Sequence, residues 1–293
     1  MQAKVLKMGN KGNSFPKVKT LRCGEKIIDF STPRIMGILN VTPDSFYDGG
    51  LYTGDSALIE RVKLMIDEGA DIIDVGAVST RPGAKSVSLH EEMSRLLPAV
   101  KAIKREFPGI VLSIDTFRSE TAIACVDHGA AIINDISGGT FDKLMFQTIA
   151  RLKVPYVLMH IHGTPETMQN NPISLNAVQK VKNFLSEKVS TLRNLGVTDI
   201  ILDPGFGFGK SMPANYRLLK NLENLRIDNL PLLTGISRKS LVNKILDTSP
   251  AGALNGTTVL NTIALLNGAN ILRVHDVKEA VEAVKIVEYY RNS

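Results

Sequence analysis

The 293-residue sequence has little cysteine, no long apolar run and no block of basic residues. Its two cysteines, Cys23 and Cys125, are far apart and neither belongs to a C-x-x-C pair. They read as free thiols of a reducing compartment, the cytoplasm. No apolar run approaches the ~20 residues of a membrane-spanning helix, so no membrane role is expected. The opening "MQAKVLKMGNKGNSFPKVK" lacks both the apolar core of a secretory signal and the arginine-rich pattern of a transit peptide. The net charge of +6 suits an anionic ligand. Basic residues do not alternate with aromatics along any stripe, so no nucleic-acid partner is expected. His160 and His162 alternate in "MHIHG", but no further set of His, Cys or Asp has metal-ligand spacing, which argues against a zinc cage.

A phosphate-binding loop is also missing, although "LDPGFGFGKS" resembles one. Counting back from Gly209-Lys210-Ser211, the position that must be glycine is Pro204, which has no N–H to offer a phosphate. The G-x-G-x-x-G dinucleotide fingerprint fails as well. No linker or low-complexity segment divides the chain, so a single domain over 1–293 is expected.

Eight short apolar runs are present: "RIMGILN", "ADIIDVG", "IVLSID", "AAIIND", "VPYVLMH", "TDIILD", "LPLLTGIS" and "NILRVHD". Runs of this length, rich in Ile, Leu and Val, suit strands buried on both faces. Helical patterns separate most of them. In the first, Leu58, Val62, Met65 and Ile66 share a face. "EGADIID", "HGAAIIND", "LGVTDIILD" and "NGANILRV" repeat one design of helix end, glycine turn and strand. The pattern predicts an α/β fold, a TIM (β/α)₈ barrel, preceded by an N-terminal extension over 1–33. In that extension "KTLRCGEKIIDF" reads as a short β-hairpin over the barrel floor.

Working residues of such barrels sit at the C-terminal strand ends. Those ends are Asn40, Asp115, Asn134, His160, Asp203, Ser237 and His275. Clustered carboxylates and amides, with no Lys or Arg beside them in sequence to neutralise them, suit a ligand rich in N–H donors, such as an aminopyrimidinone ring. "GISRKS" and "RVHD" place Ser237, Arg238, Lys239, Ser240, Arg273 and His275 after strands seven and eight, the usual phosphate corner. "NVTPDSFYDGG" and "STRPGA" read as long, functional loops, and Arg81 is aimed at an anion. Lys210 reads as a rim charge.

"GILNVTPDSFYDGG", "STRPGA", "SIDT", "INDISGG", "MHIHGTPETMQ", "LDPGFGFGK", "TGISRKS" and "RVHDV", in this order, resemble dihydropteroate synthase from about residue 34 to 290. The resemblance implies a homodimeric TIM-barrel transferase of folate biosynthesis, the target of sulfonamides. Such an enzyme joins 6-hydroxymethyl-7,8-dihydropterin pyrophosphate to 4-aminobenzoate and releases pyrophosphate and 7,8-dihydropteroate. By the same resemblance, Asp115, Asn134 and Asp203 hydrogen-bond the pterin edge. Lys239 reaches its oxo side, Arg273 packs over the ring and Met159 lines the pocket. Asn40 ligates the Mg²⁺ cofactor carried by the pyrophosphate, whose phosphates Arg273 and His275 bind. Thr80, Arg81, Pro82, Phe208 and Ser240 form the aminobenzoate site, with Phe46 and Asp48 closing from the first loop. The glycines at 205, 207 and 209 let the backbone pass close to the pterin. Val78, Tyr47 and His162 depart from the family pattern. A pterin-binding methyltransferase barrel would share the carboxylate–amide floor, but it has no use for the "STRPG" loop or the Ser-Arg-Lys site.

Overall fold

The computed structural model describes residues 20–41, 54–78 and 87–293. Strands β1 (Leu21–Cys23) and β2 (Lys26–Ile28) form an antiparallel hairpin. Eight parallel strands follow: β3 (Arg34–Asn40), β4 (Ile72–Gly76), β5 (Val111–Asp115), β6 (Ile132–Asp135), β7 (Tyr156–Met159), β8 (Ile200–Asp203), β9 (Leu233–Thr234) and β10 (Ile271–Val274). Their order is β8-β7-β6-β5-β4-β3-β10-β9. The parallel bridge Leu202–Leu232 joins the two ends and closes the barrel. Helices α1 (Gly54–Asp67), α2 (Leu89–Glu106), α3 (Ser119–Asp127), α4 (Met145–Leu152), α5 (Ala177–Asn194) and α6 (Met212–Lys220) each follow one strand. Two helices, α7 (Ser240–Leu246) and α8 (Leu254–Leu266), follow β9, and α9 (Val277–Asn292) follows β10.

Local chemistry sets the boundaries. Ser88 caps α2 by accepting from Glu91 N, and Ser211 caps α6 by accepting from Ala214 N. Gly69, Gly129, Gly196 and Gly268, the four repeated glycines, all have φ between 83° and 103°. Each ends a helix in the left-handed turn that glycine tolerates best. Strand β9 is shorter than the run "LPLLTGIS" predicts. Pro231 has no N–H for the ladder, and Asn270 Oδ1 takes the amide of Leu232 instead.

The barrel interior is built in layers, because residues two apart on a strand face the same side. The lowest layer takes one residue from each barrel strand: Met36, Ile72, Val111, Ile132, Val157, Ile201, Leu233 and Ile271. Leu21, Cys23, Ile28 and Phe30 pack against them from the hairpin side, as the floor reading expects. Both cysteines are free and buried, and burial pushes each thiol up to about 12. Among the described residues no helix is long and apolar enough to cross a membrane.

Candidate active site

Two residues above the floor, four of these strands place a charged or amide side chain. Ile72 is followed by Asp74, Ile132 by Asn134, Ile201 by Asp203 and Ile271 by Arg273. Arg273 is the hub. Its Nε donates to Asp74 Oδ2 at 2.6 Å and its Nη2 to Asp115 Oδ2 at 2.9 Å. Asn134 Nδ2 donates to the same Asp74 oxygen at 2.9 Å. Asp74 is fully buried, and its second oxygen has no partner among the described residues. Asp203 Oδ1 accepts from Gly205 N at 2.7 Å. Lys239 Nζ donates to Phe206 O at 2.8 Å and sits 4.7 Å over the Phe208 ring. Asp115, Asn134, Asp203, Lys239 and Arg273 therefore form one electrostatic neighbourhood.

Burial dominates the titration of this group. It pushes Asp115 up to about 7 against Arg273, with Asp74 adding to the rise. It also raises Asp203, against Lys239, the Gly205 amide and Arg273. Lys239 is pulled down to about 8 by burial, against the attraction of Asp203. For Arg273 burial opposes the charge, but Asp74 and Asp115 more than offset it, and its pKa is raised.

At the rim, Ser237 Oγ lies 3.0 Å from His275 Nδ1 and accepts from the His275 amide at 3.2 Å. Asn40 is exposed at the end of β3, paired with Gly76 of β4. Met159 is buried with Ile136, Ile161, Met168 and Phe208. Ser240 is exposed at the start of α7. Phe46, Asp48, Thr80, Arg81 and Pro82 lie outside the described residues.

Several sequence expectations need correction. Asp74 was missed because the second apolar run ends on Val75 and Gly76, with no polar side chain at the strand end, although its phase with Ile72 marks it as inward. The carboxylates do have a neutralising cation, Arg273, which is 199 residues from Asp74 and 158 from Asp115. His160 faces away from the recess. It is buried edge-on against Phe184 of α5, with ring centroids 5.0 Å apart, and burial followed by Lys210 pulls it down to about 3. Arg238 turns aside to make a two-point pair with Asp276, at 3.0 and 2.5 Å. Gly205 and Gly209 are required by the loop's own packing. A Cβ on either would lie 2.0 Å from His160 O or 2.2 Å from His162 O, so they let the loop lie against its neighbour's backbone. Lys210 is no rim charge, being 4% exposed and enclosed by that loop.

The recess offers acceptors for an N–H-rich ring and cations for an anionic group. The sequence profile of the pterin-binding enzyme family matches residues 36–275. The dihydropteroate synthase of Escherichia coli (strain K12) is 43% identical over 263 residues, covering 89% of this chain and 93% of that protein. A crystal structure of the Yersinia pestis dihydropteroate synthase with a sulfonamide drug superposes with a TM-score of 0.88 at 39% identity, covering 94% of this chain and 100% of that one. The Xanthomonas albilineans dihydropteroate synthase with 4-aminobenzoic acid superposes with a TM-score of 0.88 at 35% identity, covering 94% and 99%.

Proposed function

The chain belongs to the pterin-binding enzyme family as a dihydropteroate synthase, and from that premise we propose how its residues divide the reaction. The enzyme joins 6-hydroxymethyl-7,8-dihydropterin pyrophosphate to 4-aminobenzoate, releasing pyrophosphate and 7,8-dihydropteroate. The carrying observation is the part-buried guanidinium of Arg273 held between Asp74 and Asp115, with Asn134 on the Asp74 carboxylate. Asp115, Asn134 and Asp203 accept from the pterin N–H edge. Lys239 donates to the oxo side, Met159 lines the recess and Arg273 covers the ring.

Pyrophosphate leaves as the methylene C–O bond breaks, the aryl amine nitrogen forms the new C–N bond, and the amine gives up one proton. Arg273 and His275 hold the departing phosphates. The carboxylates below stabilise positive charge developing on the methylene and ring. Thr80, Arg81, Pro82, Phe208, Ser240 and Phe46 hold the aminobenzoate, and Asp48 closes over the reaction.

Magnesium fits this donor set. Asn40 offers an exposed carboxamide oxygen at a strand end, and no group of three His, Cys, Asp or Glu among the described residues forms a cage. That suits an ion that keeps phosphate and water ligands. When bound, Mg²⁺ would neutralise charge on the pyrophosphate.

The test follows pyrophosphate release from the two substrates with Mg²⁺. Asp203→Asn should mainly raise KM for the dihydropterin, and Arg81→Ala should mainly raise KM for aminobenzoate. Normal kinetics in both variants would refute the assignments.

We also propose a homodimer. Val259, Ile263 and Leu266 are exposed on one face of α8, and Ile286, Tyr289 and Tyr290 on one face of α9, which packs beside it. A second copy would cover this apolar surface. Sedimentation equilibrium should give twice the chain mass, and Ile263→Lys should lower it; a monomeric wild type would remove the proposal.

A further inference from the structure

Lys210 has no part in the reaction outlined above, yet it sits inside the loop that carries contacts for both substrates. Its Nζ donates to Gly205 O at 2.7 Å, Phe208 O at 2.9 Å and His160 O at 3.1 Å. An ammonium has three donors, so this shell is complete. Burial pulls this ammonium down to about 7, against the attraction of Asp203, but three carbonyl acceptors are all met only by the charged form, with its three donors. A lysine so placed does the work of a bound monovalent cation. It gathers two carbonyls of its own loop and a third from the segment following β7.

The need for a cation follows from the glycines. Gly205 and Gly209 both have φ of 68° and press the loop against the backbone oxygens of His160 and His162. The same approach brings three carbonyl oxygens, each negatively polarised and cut off from water, around one point. Without a donor at that point they would repel one another and remain unsatisfied. The loop also connects the two half-sites. Gly205 N donates to Asp203, Phe206 O holds the Lys239 ammonium, and the Phe208 ring lies beneath that ammonium.

We propose that Lys210 is a positioning residue, a tethered cation that fixes loop 204–209 and thereby sets Asp203, Lys239 and Phe208 for both substrates. The inference rests on the roles proposed for those three residues. Lys210→Ala opens a space of ammonium size beside the carbonyls. Steady-state kinetics of this variant are compared in ammonium chloride and in tetramethylammonium chloride at equal ionic strength. In tetramethylammonium, KM for both substrates should rise at least about tenfold, the scale of lost hydrogen bonds to a charged group. Ammonium should recover at least about a third of that loss on the logarithmic scale.

A fall in kcat alone, with both KM values at wild type, would mark only a smaller folded fraction and would overturn the proposal. Equal kinetics in the two salts would overturn it as well. If Lys210→Ala does not fold, refolding yield replaces kinetics. A higher yield in ammonium then supports the tethered cation, and equal yields overturn it. Asp203→Asn, assayed alongside, separates two failures. Normal kinetics there would remove the site reading itself, whereas normal kinetics in Lys210→Ala alone would remove only this inference.

Discussion

The two lower layers of the barrel interior are made by the same strands, two residues apart, and they work by opposite physics. Below, Met36, Ile72, Val111, Ile132, Val157, Ile201, Leu233 and Ile271 meet the hairpin and Phe30 in a dry apolar floor. Above, Asp74, Asn134, Asp203 and Arg273 meet in a charged recess. Burial drives the floor, and that force is non-directional. The recess depends on direction, since one guanidinium must satisfy two carboxylates at once. The floor also shapes the recess. By sealing it from below, the floor deprives the charges of water, which strengthens their mutual attraction and raises Asp115 and Asp203.

The largest expected effect comes from breaking the upper layer at its hub. Arg273→Met leaves Asp74 and Asp115 buried without their cation, and removing one partner of such a set costs about 3–5 kcal/mol. Urea denaturation should show that loss, and turnover should nearly vanish. Unchanged stability would mean that the carboxylates do not depend on Arg273. The lower layer should break differently. Phe30→Ala removes a fully enclosed ring and should cost about 3–5 kcal/mol of stability. Where the variant remains folded, its KM values should match wild type. A rise in KM for the dihydropterin would mean that the floor and the recess are not separable.

The floor was more legible in the sequence than the recess. Eight apolar runs and four glycine turns repeat a local pattern, and local patterns survive in one dimension. Asp115 and Asp203 were legible because they end strands, and Asn134 because it lies one residue before the end of β6. Asp74 was not, because a polar residue two places before a strand end shows its direction only by its phase with Ile72. His160 failed for the same reason in reverse, since Met159 beside it takes the inward position. Lys210 left no signal, because its partners are carbonyls and one lies 50 residues away. The pairing of Arg273 with Asp74 spans 199 residues and appears only once the barrel closes.

The smallest effect sharpens the contrast between the layers most cleanly, because the two differ in what titrates. Cys23, the titratable member of the floor, is pushed up to about 12 and stays silent at ordinary pH. Asp115 is raised from 3.8 to about 7, by burial first and against Arg273. Between pH 4 and 7 the folded protein therefore holds a proton that the unfolded chain has lost, and this acid makes stability fall as pH rises. Binding runs the other way, because the ionised carboxylate offers two oxygens and a charge-assisted bond to a pterin N–H, whereas the protonated acid turns one oxygen into a donor. Dihydropterin affinity should strengthen as pH rises from 6 to 8, with a limiting slope below pH 7 of about tenfold per pH unit. Calorimetric titration across that range would show it, and Asp115→Asn should flatten the slope. If the slope persists in that variant, the proton belongs to another group of the upper layer, and Asp115 is not the acid that meets the pterin.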